Sequence, residues 1–205
     1  MNITSLATAV KNALAGLLPT SLGSKTTANS LAVTLPSDLS MLPVGGATVT
    51  ASVTRTRPAD TTGYSIGDAV TDSSSASTAI VFTNMARVNA GTGYITKALL
   101  KSNLSTMVAV FRLHLYSATP TLVNDNNLFT EMWADAPNYL GFIDFESTTT
   151  ENGASDSCKS LNKDVRLAFN CAAGTTSIFG VLQTKTAFTP TSGQLFTIKL
   201  TSEQN

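Results

Sequence analysis

Apolar and polar residues alternate along most of this chain, and that alternation predicts strands. From Met107 onward, Met107, Ala109, Phe111, Leu113 and Leu115 share one face, and Val108, Val110, Arg112, His114 and Tyr116 share the other, the two-residue period of a pleated strand. The first face is uniformly apolar and belongs to a core. The second starts apolar and turns polar, so part of it should meet another sheet, a partner subunit or solvent. Two further apolar runs precede it, parted by glycine and Ser/Asn turns, and residues 77–116 read as three successive strands of an antiparallel sheet.

The same period recurs on both sides of this stretch. Val49, Ala51 and Val53 alternate with Thr48, Thr50, Ser52 and Thr54, and Phe196, Ile198 and Leu200 alternate with Thr197 and Lys199. Further strands are predicted over 64–70, 78–84, 93–100, 138–146, 164–172 and 177–186. Eight or nine short strands broken by Gly, Asn, Ser and Pro turns predict a mainly β fold, an antiparallel β-sandwich of the jelly-roll type. The polar stretch 147–163 is long for a loop inside a domain and is expected at an exposed tip.

At the N-terminus the period changes. Leu6, Val10, Leu14 and Leu17 recur at spacings of three and four, with Thr4 as N-cap and Pro19 as stop, which predicts a short amphipathic helix over 4–18. A helix of about 14 residues is marginal alone, so its apolar stripe needs a partner surface. Leu31, Val33 and Leu35 then alternate with Ala32 and Thr34, an extended segment able to add to a sheet edge. Residues 1–46 therefore read as an arm, closed by Gly45-Gly46, and residues 47–205 as the sandwich domain.

Charge narrows the classes of partner. Asp, Glu, Lys and Arg make up 13% of the 205 residues, with thirteen basic against thirteen acidic side chains. A nucleic-acid partner usually draws on a basic surplus, so none is expected. Low charge suits a subunit that buries surface in an assembly, where unpaired charge is costly. Two cysteines, Cys158 and Cys171, make neither a disulfide framework nor a zinc site. Cys171 continues the alternation of Val165, Leu167 and Phe169 and reads as a small buried side chain, with a bridge to Cys158 as the alternative. Lys11 interrupts the N-terminal apolar run, which argues against a secretory signal, and no apolar stretch approaches the ~20 residues that cross a bilayer.

Chemistry has little to stand on. His114 is the sole histidine and lies mid-strand beside Arg112, with no Gly-x-Ser-x-Gly elbow in the chain. Asp144 and Glu146 share a strand face with Phe142, so the two carboxylates aim the same way instead of across the cleft that glycoside hydrolysis needs. Asn124, Asp125, Asn126 and Asn127 lack the spaced ligands and terminal Glu of a calcium loop and read as an Asx-rich turn. Arg55 and Arg57, at a strand end, read as solvated or paired charges, and Gly91 and Gly93 as turn glycines. Trp133 and Tyr139 could stack on a sugar, but a lone Trp is more often core or interface. The expectation is a chain that is not an enzyme and has no cofactor or metal site. Arg112, His114 and Trp133 remain as interface candidates.

The order YSIGD (64–68), IVFTNMARVNAGTGYITKALL (80–100), FRLHLYSATPT (111–121), NDNNLF (124–129) and YLGFIDF (139–145), preceded by SLGSKTTANSLAVTLPSD, resembles structural proteins of tailed-bacteriophage virions. The resemblance spans most of residues 21–146 and lies in turn and core positions. It implies a jelly-roll subunit, often trimeric, on the virion surface. Its commonest task would be that of a cement or decoration protein clamping the major capsid protein, assembled in the host cytoplasm, with tail, fibre or connector components as the alternative. In that setting Leu6, Val10, Leu14, Leu31, Val33 and Leu35 would carry the arm's contacts.

Overall fold

The computed structural model describes residues 3–17, 47–147 and 158–205. The chain falls into two units, Met1–Val44 and Gly45–Asn205. In the first, helix α1 runs Ile3–Leu17. Leu31, Val33 and Leu35 lie outside the described residues.

The second unit is mainly β. Its strands are β1 (Thr48–Thr56), β2 (Ala69–Val70), β3 (Ile80–Phe82), β4 (Thr92–Ser102), β5 (Val110–Tyr116), β6 (Tyr139–Glu146), β7 (Lys159–Asn170), β8 (Ile178–Thr184) and β9 (Leu195–Gln204). They form two antiparallel sheets, one in the order β1-β9-β4-β7 and the other in the order β2-β8-β5-β6, with β3 also paired to β8. First and last strands are thus neighbours: Thr48 stands opposite Glu203 and Thr56 opposite Leu195.

This order corrects the reading of residues 77–116 as three successive strands of one sheet. β3 and β5 both pair with β8, whereas β4 lies between β9 and β7 in the other sheet. Alternation shows which side chains face the core, but strands on either side of one core share that pattern, so the period cannot assign a strand to a sheet. The polar stretch 147–163 needs a second correction. Lys159 and Leu161 are buried and alternate with exposed Ser160 and Asn162, and Ser102 of β4 stands opposite Lys159. The end of that stretch is therefore strand, fixed by its partner more than by its own propensity, and residues 148–157 lie outside the described part.

The inward faces of both sheets meet in one core that includes Leu100, Ile198, Phe196, Phe111, Leu113 and Phe145. Phe111 of one sheet meets Phe196 of the other edge-on, their ring centroids 5.5 Å apart. Against this core β8 carries Gly180, at which a Cβ would sit 3.0 Å from the Leu113 side chain and 3.2 Å from Phe82. Cys171 is buried and Cys158 exposed, both as free thiols.

A second, smaller core lies on the outer face of the second sheet. There Ala69, Tyr116, Phe129 and Val181 pack together under residues of the β5–β6 loop. The loop is pinned at Asp125, whose carboxylate accepts from Tyr64 Oη at 2.6 Å, the Thr71 amide at 2.8 Å and Arg57 Nη2 at 3.3 Å. Arg57 also pairs with Asp60 at 3.0 Å. Burial pushes the Asp125 carboxyl above its usual range, against the pull of these donors. Asn126 beside it has φ 61°, a conformation asparagine tolerates. The Asx-rich turn is therefore an anchor whose acidic oxygens are already engaged, and Arg57 is a buried, paired charge.

Candidate functional site

The outer face of β5 and β6 gathers two of the three interface candidates. β5 alternates, so Phe111, Leu113 and Leu115 enter the core while Arg112 and His114 point outward. Arg112 stands opposite Asp144 on β6, and His114 opposite Phe142. The Arg112 guanidinium grips Asp144 with two bonds of 2.8 Å, Nε to Oδ1 and Nη2 to Oδ2. It also lies 3.6 Å over the Phe142 ring. A fork of this kind is strong for a surface pair because both bonds form in one geometry. Arg112 holds the Asp144 carboxyl below its ordinary range, and Asp144 in turn raises the guanidinium.

His114 is 6% exposed. Its Nδ1 lies 3.2 Å from Tyr139 Oη and its Nε2 3.2 Å from Gln183 Oε1. The Gln183 amide nitrogen donates to the Gly67 carbonyl at 3.0 Å, so the oxygen facing His114 can only accept. Nε2 therefore carries the proton and donates, and Nδ1 accepts from Tyr139. Phe129 closes over the ring at 4.7 Å between centroids. Burial lowers the imidazole from its usual 6.5 and pushes the Tyr139 phenol up to about 12. The histidine thus serves as a neutral bracket between β6 and β8.

The third candidate stands apart from this pair. Trp133 opens a 3-10 turn, Trp133–Asn138, that leads directly into β6. It is 90% exposed, which places it on the surface and excludes a core role. Met132, Leu128, Ile66 and Phe142 are also exposed. Ile66 and Leu128 belong to one corner of the loop, since Asp68 bridges to Leu128 and a Cβ at Gly67 would fall 2.9 Å from the Leu128 side chain. The turn carries Asp135, which accepts the Thr121 amide at 2.8 Å.

Of the arm candidates, Leu6 and Val10 are 52% and 59% exposed on α1. They are four residues apart and so share a stripe. Leu14 lies in the same helix, and its side chain is outside the described part.

Sequence reasoning missed Phe129 and Gln183. Phe129 sits in a loop without periodicity, and Gln183 is brought to His114 by the β5–β8 pairing, so no local pattern announces either residue. Among the described residues no cluster of His, Cys, Asp and Glu suits a metal ion, and no helix is long and apolar enough to cross a membrane.

No family model matches this chain, and no curated protein matches it. Among solved structures, it shows a slight likeness to a chain in the structure of infectious bursal disease virus Gt strain. The identity is 11%, the match covers 77% of this chain and 39% of that one, and the TM-score is 0.16. A likeness this slight carries no argument.

Proposed function

We propose that this chain is a non-catalytic structural protein of a tailed-phage virion, a jelly-roll subunit that decorates the capsid and stabilises the major capsid protein shell through its N-terminal arm. The observation that carries the reading is the apolar stripe of α1. Leu6 and Val10 face solvent on a helix of 15 residues, a length at which tertiary or partner contacts must supply the stability. Two features support it. The two antiparallel sheets, in the orders β1-β9-β4-β7 and β2-β8-β5-β6, make the sandwich that a jelly-roll subunit requires. The turn and core motifs within most of residues 21–146 resemble those of phage virion proteins. In this reading the mechanism is mechanical: the arm lays helix and strand contacts on neighbouring subunits, and assembly as a homotrimer multiplies weak contacts through effective concentration.

The test is deletion of residues 1–44, followed by mixing with undecorated shells of the same virus. A folded domain that no longer co-sediments with shells is the expected result. An arm-less domain that still decorates them sinks the proposal.

The 90% exposure of Trp133 favours a second reading, a tail, fibre or connector component whose sandwich stacks a host glycan on that ring. Glycan-array binding that disappears in Trp133→Ala would support it over decoration.

A further inference from the structure

The outer face of the first sheet carries a charge pattern that the decoration reading does not use. Lys199 on β9 stands opposite Leu99 on β4, and one rung to either side Lys97 and Lys101 stand opposite Thr201 and Thr197. The residues between them, Ala98, Leu100, Ile198 and Leu200, are buried in the core, so all three lysines project outward. Together with Thr50, Ser160 and Thr201 they line an open depression of about 350 Å³.

Among the described residues none of these lysines takes part in a salt bridge. On the solvent side the four strands carry two carboxylates, Asp164, which stands opposite Lys97, and Glu203, against Lys97, Lys101, Lys199 and Arg166. In a chain of zero net charge, this is a local excess of positive charge.

The spacing is specific. Lys97 and Lys101 are four residues apart on one strand, about 13 Å, and Lys199 lies midway between them, about 4.8 Å to the side on the next strand. In an extended polypeptide, side chains on one face recur about every 6.6 Å. Carboxylates at alternate positions would therefore meet Lys97, Lys199 and Lys101 in turn.

We propose that this face binds an extended acidic polypeptide segment, laid along β4 with Asp or Glu at every second residue. The Thr and Ser hydroxyls around the lysines can donate to carboxylates and accept from backbone amides. A single-stranded nucleic acid fits less well, because its bases seek aromatic platforms. Between the lysines the outward residue is Leu99, and the nearby Tyr94 ring has the Arg166 guanidinium 4.6 Å above it. The inference does not depend on the virion reading.

The test is fluorescence anisotropy on the full chain with a labelled peptide alternating Glu and Thr. A peptide of the same composition with its Glu residues in one block and a single-stranded oligonucleotide serve as competitors. Saturable binding that weakens with added salt is expected. The triple variant K97Q/K101Q/K199Q should lose about tenfold in affinity, three exposed pairs at ordinary strength, while Lys185→Gln, just past the end of β8, binds normally. Unchanged melting of the triple variant confirms that the fold survives. No binding by the natural chain, equal binding by the triple variant, equal binding of the block peptide, or tighter lysine-dependent binding of the oligonucleotide would each overturn the proposal.

Discussion

Both outer faces of the sandwich begin from the same strand alternation, yet one is covered and the other is open. Over the second sheet, the β5–β6 loop lays Phe129 on His114 and builds a second core with Ala69, Tyr116 and Val181. Polar groups there have specific partners, as with Arg112 and Asp144 or His114 and Gln183. Over the first sheet the described residues place no loop, and cross-strand hydroxyl pairs such as Thr54 with Thr197 at 2.8 Å and Thr50 with Thr201 at 3.0 Å sit among unpaired lysines. A covered face derives stability from burial and must satisfy every polar group it encloses. An open face can keep charge in reserve for a partner. Substitutions on the two faces should therefore differ in kind: the covered face should answer in stability, the open one in binding.

The harshest way to break the covered face is to remove its anchor. Asp125→Ala leaves Arg57, 2% exposed, without its buried counter-charge, and costs about 3–5 kcal/mol. A large drop in the urea midpoint checks this, and a change of a few tenths would show that Asp60 alone can hold the arginine. Phe129→Ala comes next. It strips the cover from His114 and opens the small core at a cost of about 3 kcal/mol. Faster hydrogen exchange confined to the β5–β6 loop should accompany it, as at the Phe129 amide that donates to the Gly67 carbonyl.

This contrast also marks how far the sequence was legible. The inward faces could be read because burial imposes a strict period, and Phe111, Leu113, Leu115, Phe196, Ile198 and Leu200 all enter the core as their alternation predicts. Phe142, Asp144 and Glu146 fall on one outward face for the same reason. Sheet membership could not be read, since β4 carries the same inward pattern as β3 and β5 while lying across the core from them. The covered outer face was half legible. The mixed polarity of Val110, Arg112, His114 and Tyr116 signals some cover, but its supplier is a 22-residue aperiodic connection between β5 and β6. Its key ring, Phe129, looks like any loop residue. The lysine grid needed the register between β4 and β9, which is a property of pairing and not of either strand alone.

His114 offers a gentler way to sharpen the comparison. Burial lowers its imidazole below 6.5, with Arg112 and Lys185 adding to the effect and Gln183 and Asp144 opposing it. As pH falls through 6.5 the unfolded chain takes the proton first, so stability is full above that value and declines as acid is added. The decline stops once pH passes below the folded value. His114→Gln should flatten this part of the pH–stability curve while leaving the contribution of Asp144 in place. A curve of unchanged slope would show that the ring is not held neutral by its surroundings.

The smallest effect on stability belongs to the open face. Lys97, Lys101 and Lys199 make no salt bridge among the described residues, and their replacement by Gln keeps the outward side chains long and polar. Each change should fall within about 0.5 kcal/mol of neutral. The triple variant should melt with the natural chain, or slightly above it if the three ammonium groups repel one another across neighbouring strands. Such near-neutrality carries information because single changes in the cover of the opposite face, at Asp125 or Phe129, should each cost about 3 kcal/mol or more. A clear destabilisation would mean that the lysine stems shield the sheet beneath them, and the two faces would then differ only in the chemistry of their cover.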